Sequence, residues 1–228
     1  MASGIQGEEA ASAALWTAKA ALALATLTVG ETTLLGMPRA QALEAFADAC
    51  RGFGAQVRTD PGQTSVRGVG IGGLVRPASP IGRGEDDFAI AVLAGLAAGQ
   101  DAGAALVMSD AVARELAPGL ALTGATIRAA APVDGIVEIA GARDPLPASH
   151  GLLSPAAATA ALLAALNAPG TSSLQAAAAL PGSLAGLLRL FGAGVHVEAG
   201  RVTLRGRPEL RPTRLDIDGL AAAAGRPS

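Results

Sequence analysis

Two kinds of apolar patterning run along this chain. Phe88–Ala98 and Ala156–Leu166 are apolar at nearly every position, the pattern of a helix buried on all sides. Arg39–Arg51 instead carries Arg, Glu and Asp on one face, which predicts an amphipathic helix nearer solvent. Between these lie short segments where apolar and polar residues alternate singly: Gln56–Thr59 with Thr64–Gly68, Thr126–Ala130 with Ile136–Gly141, and His196–Glu198 with Val202–Gly206. Each pair is joined by a turn (Pro-Gly, Pro-Val-Asp-Gly and Ala-Gly) whose residues supply the positive φ of an antiparallel hairpin.

The pattern repeats. Leu27-Thr-Val-Gly30-Glu-Thr is echoed by Leu96-Ala-Ala-Gly99-Gln-Asp and Leu166-Asn-Ala-Pro-Gly170-Thr, so a glycine recurs at intervals of roughly 70 residues. Each of these glycines fits the left-handed position that stops a helix. A second echo links Phe53-Gly-Ala-Gln-Val57, Thr123-Gly-Ala-Thr-Ile127 and Phe191-Gly-Ala-Gly-Val195. The chain therefore reads helix, strand, helix, strand, strand three times, in units of about 13–70, 84–141 and 150–206. The expected fold is α/β (α+β): an inside-out, barrel-like single domain over residues 1–228, with Ala-rich helices inside and sheets outside. The Gly- and Pro-rich stretches Gly70–Gly84 and Ala142–Gly151 are linkers between units.

Composition narrows the function classes. Hydrophobic residues make up 50% of the 228 positions but aromatics only 2%, so Ala, Leu, Val and Ile must fill the core. With a net charge of -2, no run of Lys or Arg and a single Trp, nucleic acid is not the expected partner. Cys50 has no disulfide mate, reads as a buried thiol, and no Cys/His set has metal-ligand spacing. No metal and no cofactor is expected. Ala10–Val29 carries Lys19 and several Thr, and Ser154–Ala168 is too short to span a bilayer, so no membrane association is expected. Met1–Glu9 lacks the basic start of a signal peptide, which makes the cytoplasm the simplest location.

Several stretches resemble the 5-enolpyruvylshikimate-3-phosphate (EPSP) synthase family, the enolpyruvyl transferases (3-phosphoshikimate 1-carboxyvinyltransferases). They are Val92-Leu-Ala-Gly-Leu-Ala-Ala-Gly-Gln100, Thr159-Ala-Ala-Leu-Leu-Ala-Ala-Leu166, Leu188-Arg-Leu-Phe-Gly-Ala-Gly-Val195, Val202-Thr-Leu-Arg-Gly206 and Leu215-Asp-Ile-Asp-Gly219. The resemblance covers about residues 13–219 and about half the family's length, and implies one of two domains, each of three such units with parallel buried helices. The family's anion-binding positions are not matched. Its Lys, Ser, Ser and Arg at the opening of the first helix fall on Leu15, Trp16, Ala18 and Ala20, with Lys19 out of register. Its Gly-Asn-Ser-Gly-Thr-x-x-Arg is here Gly84-Glu-Asp-Asp-Phe-Ala-Ile-Ala91, its Ser-x-Gln is Ser154-Pro-Ala156, and its Ser-Arg-Asp-His-Thr-Glu is Leu180-Pro-Gly-Ser-Leu-Ala185. Acidic residues at a helix start suit the helix dipole but repel an anionic ligand, so carboxyvinyl transfer by this chain alone is not expected.

The polar residues expected at the former cleft end are His150, Asp86 and Asp87 as acid/base candidates and Glu85, Ser154 and Lys19 as substrate-binding candidates. Asp86 and its neighbours equally read as helix caps, His196 as solvated, Asp110 with Arg114 as an exposed i,i+4 pair, and Arg39 as the start of a solvated face or an anion contact. Three readings stay open: an enzyme repurposed for a small molecule other than shikimate 3-phosphate, a non-catalytic pseudoenzyme serving binding or assembly, or half of a two-chain enolpyruvyl transferase. An apolar rim of Leu74, Val75, Ile81, Leu146, Leu152 and Leu153 at the cleft end predicts a homodimer there.

Overall fold

The computed structural model describes residues 2–129, 135–178, 180 and 184–224. The turn at 130–134 and Pro181–Ser183, both read above from sequence, lie outside these. Unit one comprises α1 (Ala2–Thr26), β1 (Gly30–Leu35), α2 (Gln41–Gly52), β2 (Gln56–Asp60) and β3 (Gln63–Gly68). Unit two follows with α3 (Asp87–Ala98), β4 (Ala104–Val107), α4 (Asp110–Ala121), β5 (Thr126–Ala129) and β6 (Ile136–Ala140). After β7 (Ser149–Leu153), unit three runs α5 (Pro155–Ala164, extended by a 3-10 turn Ala165–Asn167), β8 (Thr171–Ala176), α6 (Leu184–Leu190), β9 (Val195–Glu198) and β10 (Arg201–Arg205). The described residues close with β11 (Arg214–Asp216) and α7 (Ile217–Ala224).

The expected α-β-α-β-β order is present in all three units, and each unit's strands lie in their own sheet, ordered β11-β1-β3-β2, β4-β6-β5 and β7-β8-β10-β9. One element type was not anticipated. Each unit's first strand gains a short parallel neighbour: β11 on β1, β7 on β8, and the single bridge Ile81–Leu106 on β4. Ile81 and β7 fall within the stretches read as linkers, and each leads directly into the buried helix that follows.

Every residue of Phe88–Ala98 in α3 is buried, as are Ala157–Ala164 of α5 and Ala18–Ala25 of α1. Small residues allow the backbones to touch. A Cβ on Gly95 would lie 2.6 Å from Ala160 O, and one on Gly99 2.7 Å from Ala164 O, so α3 and α5 are parallel and pack at closer range than larger residues permit. One continuous apolar core, from Ala18 to Ile217, draws on all three units.

The first glycine echo has a different cause from the one expected. Gly30 (φ 107) and Gly170 (φ 80) do take positive φ, but at the entry to β1 and β8 rather than as the residue that ends a helix. Gly99 has φ -76 and is needed small for the contact with α5, while Gly103 (φ 59) makes the turn into β4. A further threefold device sits at the far end of each hairpin. Val69 N–H donates to Thr26 O (2.9 Å), Ala142 N–H to Ala98 O (3.0 Å) and Arg207 N–H to Leu166 O (2.7 Å). These bonds satisfy carbonyls that a helix C-terminus leaves open. The preceding glycines, Gly68, Gly141 and Gly206, let the strand pass beneath, since a Cβ there would run into the carbonyl oxygens of Ala25, Gln100 and Ala168. A matching set of bonds runs from the N–H groups of Val75, Leu146 and Arg211 to the carbonyls of Phe53, Thr123 and Phe191.

These bonds also correct the expected rim. Val75 and Leu146 are exposed, but they sit with the helix C-termini, at the end opposite the starts of the buried helices. Leu74 and Leu153 are buried, Ile81 is half-buried, and only Leu152 (67% exposed) is an open apolar side chain beside a buried-helix start. Arg114 Nε donates to the Asp110 carbonyl rather than to its carboxylate, so the expected pair is a side chain to backbone bond. Among the described residues no helix is long and apolar enough to cross a membrane.

Candidate functional site

The helix-start end is organised around Lys19. Its side chain is wholly buried in α1, and its Nζ lies 2.6 Å from Glu85 Oε2 and 2.9 Å from Asp86 Oδ2. The turn that carries these acids is set by Gly84 at φ 76 and by Glu85 N–H donating to Gly82 O. Asp86 serves twice, because its Oδ1 also accepts from Ala89 N–H at 2.8 Å and caps α3. Trp16 packs on Phe88 with ring centroids 5.2 Å apart, just beside the cluster.

Glu85 is the unusual member. Its side chain is 2% exposed, and Oε1 is buried without a hydrogen-bond partner among the described residues. Burial raises its pKa above the ordinary 4.5, Lys19 opposes the rise through hydrogen bond and charge, and Asp86 adds to it. The net direction is upward, so the site favours a proton on this carboxyl more than water does.

The remaining sequence-derived candidates are not gathered into that cluster. Asp87 is exposed in the first turn of α3. Ser154 caps α5, its Oγ accepting from Ala157 N–H at 3.2 Å. His150 lies on β7, in register with Leu174, next to a bulge before Leu152. The sequence placed Lys19 out of register and saw the acidic trio as a source of repulsion. The fold instead brings Lys19 to the two acids across a 66-residue separation, a pairing no local spacing signals. Arg39 stands apart, on a cleft of about 570 Å³ between the start of α2 and the β2–β3 turn, lined also by Leu22, Met37, Leu43 and Thr64.

Chemically, the arrangement caps one backbone N–H at each of two helix starts with the chain's own side chains. The α3 and α5 termini, which could present free N–H groups to an anion, are held by their own Asp86 and Ser154. The one buried cation of the cluster has two carboxylates within 2.9 Å.

Three helix-strand-helix-hairpin units around buried helices form a fold similar to one half of EPSP synthase. No family model matches the chain. It is 34% identical over 220 residues to the 3-phosphoshikimate 1-carboxyvinyltransferase of Parvibaculum lavamentivorans, covering 91% of this chain and 49% of that relative. The same enzyme of Cereibacter sphaeroides is 34% identical over 219 residues, again covering 91% and 49%. EPSP synthase from Acinetobacter baumannii superposes with a TM-score of 0.77 at 23% identity, over 88% of this chain and 47% of that one. The chain thus spans about half the length of the curated relatives it matches, and resembles one domain of the 3-phosphoshikimate 1-carboxyvinyltransferases.

Proposed function

We propose that residues 1–228 keep the carboxyvinyltransferase half-fold as a binding or assembly module and do not themselves carry out carboxyvinyl transfer. The observation that supports this most is the condition of Lys19: a fully buried ammonium spent on Glu85 and Asp86 offers nothing to a phosphate or carboxylate. A transferase joining two anionic substrates needs cations and open helix termini facing them. The purified chain, given phosphoenolpyruvate and shikimate 3-phosphate in a coupled phosphate-release assay, is expected to show no release above the enzyme-free rate. Sustained release would overturn this reading. Within it, the end bearing Asp87 and Leu152 is the surface a partner covers, and a second copy is the expected partner. A 22.2 kDa species in sedimentation at micromolar concentration would count against the homodimer.

A second reading draws on Glu85. A carboxyl with a raised pKa and one unpartnered oxygen suits a general acid, with Asp87 and His150 as neighbours on the same end and a small molecule less anionic than shikimate 3-phosphate as substrate. Here Glu85→Gln and His150→Ala would each change turnover of such a ligand. Unchanged kinetics in both would remove this reading and leave the first.

A further inference from the structure

Units one and three place an arginine at the same two positions, and comparison of the two shows what differs. At the helix C-terminus, Arg51 Nε donates to Val57 O (3.2 Å), and its counterpart Arg189 Nε donates to Val195 O (2.9 Å). At the end of the inner hairpin strand, just before the glycine that passes under the helix, Arg67 corresponds to Arg205. In unit one both are neutralised. Arg51 pairs with Glu44 (2.9 Å) and Asp48 of its own helix, and Arg67 with Glu31 of the adjoining strand (3.4 Å).

Unit three lacks each of those acids. The α6 segment Leu184–Leu190 contains none, and Arg205 stands opposite Thr171, where Arg67 has Glu31. A third arginine stands nearby. Arg211 takes the place that Val75 and Leu146 hold in the other units, as its N–H bond to Phe191 O shows. The three converge on one turn: a Cβ on Gly192 would lie 3.8 Å from Arg211 Cγ, one on Gly194 3.6 Å from Arg205 Cβ, and Arg189 bonds Val195. All three side chains and both glycines are exposed. Among the described residues none of the three arginines has an ion-pair partner. Glu209 borders the turn through its backbone, and Glu198 is engaged with His196 at 3.6 Å at the other end of the hairpin.

We infer that the Gly192–Val195 turn, flanked by Arg189, Arg205 and Arg211, is a docking surface for a carboxylate-rich segment of a partner protein. Three guanidiniums around an exposed backbone turn offer repeated forked donors to carboxylates. The surface's three arginines and two glycines are all exposed, which suits an extended partner, and among the described residues the one aromatic beside the turn, Phe191, is buried and cannot stack a base. The patch escaped the sequence reading because its members are spaced 16 and 6 residues apart (189, 205, 211) and only the hairpin gathers them.

The test is anisotropy of a fluorescent decaglutamate peptide titrated with the full chain at low ionic strength. Saturable binding is expected, weakened by added salt. It should fall about tenfold in Arg189→Gln/Arg205→Gln/Arg211→Gln, since exposed charge pairs contribute a few-fold each. The Arg205→Gln/Arg211→Gln variant, which keeps the Arg189 bond to Val195, should show most of that loss with an unchanged urea midpoint. Arg67→Gln, the neutralised counterpart, should bind as the wild type does. Absence of saturable binding, equal weakening by Arg67→Gln, or tighter binding of a DNA duplex of matched charge at the same patch would overturn the proposal.

Discussion

Lys19 and Glu85 meet at 2.6 Å, 66 residues apart in sequence and both sealed from solvent, so each is the condition for burying the other. Removing one partner of a buried pair leaves the second charge uncompensated, at a cost of about 3–5 kcal/mol. Lys19→Ala should therefore destabilise the chain on that scale in urea unfolding. Lys19→Met combined with Glu85→Gln, which removes both charges and keeps the volume, should lie within about 1–2 kcal/mol of the wild type. A Lys19→Ala variant of wild-type stability would show that the pair contributes nothing.

The raised pKa of Glu85 makes a prediction about acid. A carboxyl held above its unfolded value of 4.5 favours folding fully below that value and loses this contribution as pH rises through the folded one. Relative to Glu85→Gln, whose amide cannot titrate, wild-type stability should thus be greatest below about pH 4.5 and decline as pH rises above it. Parallel stability curves for the two proteins would exclude the shift.

The glycines beneath the helix ends should be far less tolerant than glycines elsewhere. At Gly141 a Cβ would run into the Gln100 and Ala97 carbonyls, so Gly141→Ala should cost about 3 kcal/mol or more. Gly186, inside α6 with nothing within 4 Å of an added Cβ, should gain about 0.5–1 kcal/mol on substitution by Ala. Thermal or urea melts of the two variants moving in the same direction would contradict the packing argument.

Cys50 should be inert while the chain is folded. Burial pushes its thiol up to about 12, leaving almost no thiolate at about pH 8. Reaction with a disulfide reagent should proceed only in denaturant. Rapid labelling of the native protein would mean that the interior beneath α2 opens easily.

The parts of this structure written in local patterns were legible. Phe88–Ala98 and Ala156–Leu166 announced buried helices by having no polar face, and the hairpins by alternation around turn residues. Gly68, Gly141 and Gly206 entered the sequence reading only as the last residues of the three hairpins, because their reason, the carbonyls just above them, belongs to tertiary packing. β7 and β11 escaped because strands of five and three residues pairing in parallel with distant partners need no turn signal of their own. At the candidate site, Asp86 was read as a cap from its place before an apolar run, whereas Ser154, read as a substrate-binding candidate, caps α5 in the same way. The Lys19 contact and the three-arginine turn were not readable, because each depends on which long-range surfaces the fold brings together.

The parallel pairing of β1 with β11 has a bearing on synthesis. Leu34 sits in register with Leu215, so the outer edge of unit one's sheet waits for a strand made about 180 residues later. Until that strand leaves the ribosome, β1 presents a row of unpaired backbone groups, and the nascent chain carries an adhesive edge while about 180 further residues are added. The other two units meet no such delay, since Ile81 and β7 precede the strands they flank. Vectorial growth would thus finish the middle and third sheets before the first, so the unit encoded first is the last whose sheet is complete.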